Sequence, residues 1–360
     1  MRWSGRRSLV PASQLISEEN SLSPFNFETL VVELTQSCNN NCSHCYNYWH
    51  TSTPPPRRSP ELTGGQFCDL VRKVMHDTPL KQIALSGGEP FLRPDLPSIV
   101  SDLMAMDLEV VVITNGSLLS ESRLRQFPHG CTFEVTLFGA DASLHDSHAG
   151  REVFTKLINN LANIETHNHG FALAFVITSR NAHDVARTIK LGVALGAQAV
   201  LLNRINICKR VYTHDQRLIP NVAQLNSALD QAEGLSNEYG IPIAISVPIP
   251  ACLVDINKYE NLHFGWCPRG GNQAYYTLGC DGYLRPCNHS SLILGDLKRE
   301  SFGQIVSKNK SKAFWSHIPK ECRECENPLR TKCLGGCPAA AHECYGTAER
   351  LDPFIKLAMS

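Results

Sequence analysis

The run Leu34-Thr35-Gln36-Ser37-Cys38-Asn39-Asn40-Asn41-Cys42-Ser43-His44-Cys45-Tyr46 decides the reading of this chain. It follows an apolar, β-branched segment, Leu30–Leu34, that reads as a strand. Three cysteines spaced CxxxCxxC in one loop after a strand seldom arise by chance. Thiolate is a soft ligand suited to iron–sulfur clusters. A closed cubane takes four cysteines, so three in one tight loop leave one iron open, as a catalytic metal site requires. The asparagines suit a loop whose backbone must wrap a cluster and visit unusual dihedrals. On the triplet alone, a zinc site or three unrelated core thiols are the rival readings.

Outward from this loop the chain alternates. Further strands are expected over Gln82–Leu85, Glu109–Ile113, Thr132–Leu137, Ala172–Thr178 and Ala199–Leu202. Helical spacing occupies Leu62–Met75, Leu96–Met106, Phe154–Ile164, Ala182–Leu195 and Val222–Glu238. Strand–helix alternation repeated about six times predicts an α/β fold, a partial (β/α)6 TIM-like barrel with its chemistry at the C-terminal ends of the strands. Pro54-Pro55-Pro56 is only a loop marker. After about Ala251 glycine, cysteine and short turns replace long helices. The expected organisation is a polar tail over 1–28, the barrel over 29–250 and a small Cys-rich domain over 251–360.

Composition narrows the class. The 360 residues suffice for one large domain plus a smaller one, and the formal net charge of zero argues against broad binding to nucleic acid or acidic membranes. Met1–Gln14 is basic but lacks the apolar core of a signal peptide, and no stretch is long enough to span a membrane. The expected location is therefore the cytoplasm, where 15 cysteines mean metal or redox sites rather than disulfides. Eight of them lie between Cys267 and Cys344, with Cys252 just ahead.

Other polar motifs end the later strands: Ser86-Gly87-Gly88-Glu89-Pro90, Thr114-Asn115-Gly116, Thr136-Leu137-Phe138-Gly139 and Leu202-Asn203-Arg204. Each alone is weak. In this order, behind the cysteine triplet, they resemble the radical S-adenosylmethionine (SAM) superfamily over roughly residues 29–247. His44 fills the superfamily's aromatic slot before the last cysteine. The resemblance implies that Cys38, Cys42 and Cys45 hold a [4Fe–4S] cluster whose open iron binds SAM. Gly87 and Gly88 would allow close backbone approach and Gly88 and Glu89 would meet the SAM ammonium, with Asn115, Asn203 and Arg204 as further polar positions. Thr136, where the superfamily often has serine, would bond the SAM carboxylate or ribose. Reductive cleavage would then yield a 5′-deoxyadenosyl radical that abstracts hydrogen from a substrate.

The C-terminal cysteines run Cys267, Gly282-x4-Cys287, Cys322-x2-Cys325, Cys333-x3-Cys337 and Cys344. Asp281-Gly282 marks a hairpin turn. This resembles the SPASM domain, which implies two auxiliary [4Fe–4S] clusters. By that resemblance Cys267, Cys287 and Cys337 serve the first, with Cys280 as a fourth candidate, or else an iron open to substrate. Cys322, Cys325 and Cys333 serve the second. Two departures stand out: a seven-residue Cys325–Cys333 gap where five is usual, and no cysteine near Asp352-Pro353-Phe354, so that Cys344 is the expected substitute. A zinc ribbon is the rival reading. Cys68, Cys131, Cys208 and Cys252 read as buried core thiols.

Enzymes of this resemblance modify peptides and proteins. The expected activity is maturation of a ribosomal precursor peptide by cross-linking, epimerisation, oxidation or backbone tyramine excision. The expected partners are that peptide, a separate small recognition protein and a reductase or flavodoxin-type electron donor. A radical dehydrogenase or cofactor-biosynthesis enzyme acting on a small molecule is the rival among enzymes. A non-catalytic iron–sulfur or zinc protein is the rival outside them. His145, Asp146 and His148 read as solvent-facing loop residues, and no general acid or base is legible.

Overall fold

The computed structural model describes residues 27–50, 60–268 and 274–359. All but the end of the expected 1–28 tail, and the Pro54-Pro55-Pro56 marker, lie outside these residues. Strands β1 (Thr29–Glu33), β2 (Gln82–Ser86), β3 (Glu109–Thr114), β4 (Thr132–Thr136), β5 (Gly170–Ile177) and β6 (Ala199–Arg204) pair in parallel, each with the next. Two short strands, β7 (Ile243–Ile245) and β8 (Leu262–Phe264), extend the parallel series. At the other edge β9 (Thr277–Leu278) lies parallel to β1, followed by the antiparallel β10 (Tyr283–Arg285) and β11 (Gly295–Asp296). Among the described residues the order is β11-β10-β9-β1-β2-β3-β4-β5-β6-β7-β8. The six expected strands form the centre of one open sheet, and the Cys-rich segment contributes to the same sheet.

Helices fill the parallel connections: α1 (Gly64–Asp77), α2 (Leu96–Met104), α3 (Glu121–Leu124), α4 (Ala142–Ala149), α5 (Phe154–Leu161), α6 (Val185–Ala194), α7 (Lys209–His214) and α8 (Val222–Tyr239). Capping boxes start two of them, Thr63 with Gln66 on α1 and Asn221 with Gln224 on α8. Such a cap is worth about 1 kcal/mol. The C-terminal segment adds α9 (Phe302–Val306), α10 (Asn309–Ser316), α11 (Arg330–Cys333), α12 (Pro338–Tyr345) and α13 (Pro353–Ala358). Among the described residues no helix is long and apolar enough to cross a membrane.

Alternation along the strands sorts side chains onto two faces. The face toward the helices is large and apolar: Val32, Leu85, Val112, Phe133, Val135, Leu173, Phe175 and Leu202 are all buried. The face toward the lumen mixes small and polar side chains with apolar ones: Ala84, Thr132, Glu134, Thr136, Ala172 and Ala174 line a cavity together with Val31, Val111, Ile113, Val176 and Leu201. A closed eight-stranded barrel fills its interior with bulky side chains. Here small side chains and the open sheet leave the interior empty, and that empties the space the chemistry needs.

Two buried ion pairs fasten the C-terminal segment to the barrel. Arg285 on β10 pairs with Glu33 at the end of β1, and Arg204 at the end of β6 pairs with Asp352 ahead of α13. Phe27 stacks on Phe302 at 5.1 Å, and Lys73 Nζ of α1 donates to the Leu297 carbonyl at 2.7 Å.

Candidate functional site

The cysteine loop leaves β1 and is stitched to the end of β2. Leu34 N–H donates to the Ser86 carbonyl at 2.9 Å, Gly88 N–H to Thr35 at 2.7 Å and Glu89 N–H to Ser37 at 2.8 Å. This approach explains the paired glycines. A Cβ on Gly88 would sit 2.0 Å from the Ser37 carbonyl oxygen, and Gly87, at φ +127, would meet Thr35 O at 2.4 Å. On its other flank the loop rests on α4: Asn41 N–H donates to Ala149 O at 3.0 Å and Ser43 N–H to His148 O at 3.1 Å. Asn115 Nδ2–H donates to Asn39 Oδ1 at 2.9 Å, and Asn39 Nδ2–H to Ser117 Oγ at 2.8 Å. The asparagines thus tie the loop to the turn after β3.

Within this frame the thiols are close enough to oppose one another's ionisation. Burial chiefly pushes Cys45 up to about 12, and burial with the charges of Cys45 and Cys38 raises Cys42 further. Such a set of thiols ionises readily only beside a cation, as a metal centre held here would supply. His44 is buried and packs edge-on against Phe138 at 4.6 Å; burial lowers its pKa to about 3, so the ring is neutral. Asn40 Oδ1, Ser43 Oγ, His44 Nδ1 and Asn47 Oδ1 are buried without a partner among the described residues. Buried polar atoms are ordinarily satisfied, and four orphans in one short loop fit a group that completes it.

The other expected SAM contacts divide. Glu89 is buried, with Oε1 accepting from Thr114 Oγ1 at 2.7 Å and Phe91 N–H at 3.2 Å, and Oε2 from Asn115 N–H at 2.9 Å. It holds the turn after β3 while Oε2 keeps capacity for one further donor. Thr136 faces the cavity at the end of β4. Asn203 Oδ1 accepts from Ser246 N–H at 2.7 Å and Val247 N–H at 2.9 Å, so it knits β6 to the chain after β7. Arg204 corrects the expectation. Its guanidinium is wholly buried against Asp352, donates to Pro248 O at 2.8 Å and Ile205 O at 3.0 Å, and lies 4.4 Å over the Phe354 ring. That group braces the C-terminal segment, with donors committed to Asp352, Pro248 and Ile205, although the residue also lines the cavity. His145, Asp146 and His148 are a second correction. They lie on α4 with both imidazoles buried, His148 Nε2 bonded to Thr178 Oγ1 at 2.9 Å and Asp146 Oδ1 accepting from Val153 and Phe154 N–H at 2.9 Å. They stiffen the helix on which the cysteine loop rests.

One cavity of about 2030 Å³ runs through the lumen and out at the C-terminal mouth. It exceeds the ~300–1,000 Å³ of a usual small-molecule pocket, so SAM would leave room for a second reactant. Cys38, Cys42 and Cys45 line it, and so do Cys267, Cys287 and Cys337. Sequence reasoning missed Glu134. It stands between Ile113 and Ala172 of the neighbouring strands and makes no hydrogen bond or ion pair among the described residues. Burial in this apolar lumen raises its pKa to about 7. The alternation Thr132-Phe133-Glu134-Val135-Thr136, which puts Glu134 on the face of Thr136, was the available signal.

The remaining thiols form two sets. Cys287 feels the charges of Cys337 and Cys267, and Cys337 that of Cys267. Cys322 feels Cys333, Cys325 and Cys252. Between Cys333 and Cys337, Leu334 (φ +48), Gly335 (φ +87) and Gly336 (φ +84) form a left-handed run. The run turns the chain sharply between the two cysteines, with Leu334 N–H donating to Arg330 O and Gly336 N–H to Cys333 O, each at 3.0 Å. Among the described residues no three Cys, His, Asp or Glu side chains converge as a single metal ion requires; a multi-iron cluster takes thiols spread around it. Cys280 is buried in the core, its carbonyl accepting from Leu62 N–H at 2.8 Å and its thiol felt by the Tyr48 phenol. That is a core thiol's setting, against its expected place as a ligand. Cys344 Sγ points to the Ile207 carbonyl at 3.6 Å beside Cys208, away from its expected place with Cys322. Cys252, expected in the core, is exposed.

Comparison with known proteins agrees with this architecture. Residues 32–192 match the radical SAM superfamily, and residues 267–326 match SPASM, an iron–sulfur cluster-binding domain. The fold is similar to that of Streptococcus suis SuiB bound to precursor peptide SuiA, at 12% identity and TM-score 0.70, over 91% of this chain and 75% of that one. It is similar also to anSMEcpe with bound AdoMet, at 16% identity and TM-score 0.70, over 91% of this chain and 94% of that one. The chain is thus an α/β partial barrel with a radical SAM domain followed by a SPASM domain, and the cofactors of these domains are SAM and [4Fe–4S] clusters.

Proposed function

From a radical SAM domain that shares one sheet with a SPASM domain, we propose that this chain matures a peptide by hydrogen abstraction following reductive cleavage of SAM. One observation carries the reading: the cysteine loop after β1 and the trio Cys267, Cys287 and Cys337 open onto the same cavity. When bound at Cys38, Cys42 and Cys45, the cluster supplies the electron that cleaves SAM. The chain's own residues do the rest. Gly87 and Gly88 bring the end of β2 against the loop, Glu89 fixes the turn after β3, and His44 closes the floor as a neutral ring. Thr136 offers a hydroxyl at the cavity wall.

Glu134 faces the volume left beyond SAM and is the residue we assign to substrate. A half-buried carboxyl on a cavity wall is satisfied by keeping its proton, by water, or by a cationic or donor group of the ligand. The trio of SPASM thiols across the cavity suits a cluster that takes an electron from the substrate radical. Support for a peptide comes from SuiB, which holds the precursor peptide SuiA, and from anSMEcpe, which holds the Kp18Cys peptide. A separate small recognition protein, a reductase or flavodoxin-type donor and a cytoplasmic setting complete the proposal.

The test is incubation of the reduced, reconstituted protein with SAM and short peptides encoded beside its gene. A SAM-dependent mass change in one peptide is expected. SAM cleavage without a mass change in any of them would sink the peptide reading and leave the small-molecule rival.

A further inference from the structure

The thiols Cys322, Cys325 and Cys333 come from one loop, and a closed cubane takes four. Both fourth ligands that the sequence offers are engaged elsewhere. The Cys344 thiol lies against the Ile207 carbonyl, next to Cys208 and Cys337. Position 352, where a last cysteine would fall, carries an aspartate that pairs with Arg204 and accepts from the N–H groups of Cys337 and Phe354, each at 3.0 Å.

Cys252 is differently placed. It is exposed, between buried Ala251 and Leu253, on a turn closed by Leu253 N–H to Pro250 O at 2.9 Å. Asn327, two residues past Cys325, donates Nδ2–H to the Ala251 carbonyl at 2.9 Å. This bond pins the Cys252 turn to the Cys322–Cys333 loop. Cys252 is within electrostatic range of Cys325 and Cys333, and Cys322 is within range of Cys252. Four thiols from two loops therefore share one exposed corner of the molecule. None of the four lines the main cavity.

We infer that Cys252, from the connection between barrel and SPASM domain, is the fourth protein ligand of the second auxiliary cluster. The thiol gives up its proton on binding iron, as the other three do. The inference rests on the reading that an iron–sulfur cluster sits at Cys322, Cys325 and Cys333. It makes that cluster a clasp between two segments and closes its coordination. The first auxiliary trio, with Cys280 in the core, is left with three thiols beside the cavity.

Differential alkylation tests this. Reconstituted holoenzyme is treated briefly with iodoacetamide, stripped of iron, unfolded and capped with N-ethylmaleimide. Mass spectrometry then reads each cysteine, beside an iron and acid-labile sulfide count. The inference predicts that exposed Cys252 escapes iodoacetamide together with Cys322, Cys325 and Cys333. With iron removed first, Cys252 should react at least about ten-fold faster. Cys252 alkylated while the other three are protected would overturn the ligand assignment and leave the cluster standing. All four alkylated, or all four protected by zinc, in a protein of about eight irons would overturn the cluster and the inference with it.

Discussion

Gly88 and Glu134 show two ways in which a single residue sets the site. At Gly88 the constraint is steric: a Cβ would lie 2.0 Å from the Ser37 carbonyl, which cannot yield without moving the loop that presents Cys38. Gly88→Ala should lower iron by about four per chain, while Gly65→Ala, whose Cβ would meet nothing within 4 Å, keeps the full count. Equal iron in both variants would refute the stitching argument. At Glu134 the constraint is electrostatic. Its folded-state pKa, near 7, lies above the ordinary 4.5, so the burial penalty is absent below about 4.5, grows as pH rises from there to about 7 and stays constant above it. Glu134→Gln should therefore be more stable than the parent by a margin that grows from pH 5 to pH 7 and is level above, on the order of 1–3 kcal/mol where water enters little. A margin constant with pH would show that the lumen is wet. The cysteine triplet was legible because its spacing after a strand, together with the ordered polar motifs that end the later strands, marks it. Glu134 could have been found: Thr132-Phe133-Glu134-Val135-Thr136 alternates, which puts Glu134 on the face of Thr136, but no motif singles it out. Cys252 was not legible, since it has no neighbouring cysteine and joins its partners only through the fold.

At the scale of elements, the alternation of apolar runs sufficed for β1 to β6, and Asp281-Gly282 sufficed for the turn between β9 and β10. β7, β8 and β9 have two or three residues each, too few to carry a period, so the sheet's extension beyond six strands could not be read. Arg204 illustrates a related limit. A polar residue ending a strand of the barrel invites a cofactor role, yet the nearest anion is Asp352, 148 residues later. Removing one partner of a buried pair costs about 3–5 kcal/mol, because the other charge stays buried and alone. Asp352→Asn should lower the melting temperature and expose α13 to proteolysis, and the double variant Arg204→Met/Asp352→Leu should recover most of the loss. A double variant as unstable as the single would contradict the pairwise account.

For the whole molecule, the sheet is the link between sequence and chemistry. Small side chains on its inner face keep the lumen open, its C-terminal edge carries the cysteine loop, and β9 joins the SPASM segment to β1, so two thiol sets face one cavity. The central claim is that this cavity cleaves SAM at Cys38, Cys42 and Cys45. The direct measurement is 5′-deoxyadenosine formed from SAM by the anaerobically reconstituted, dithionite-reduced protein, read by mass-resolved chromatography. The account predicts 5′-deoxyadenosine from a parent holding about twelve irons, and none from Cys38→Ala/Cys42→Ala/Cys45→Ala holding about eight. A fully loaded parent that forms none, or a triple variant that matches it, would contradict the account.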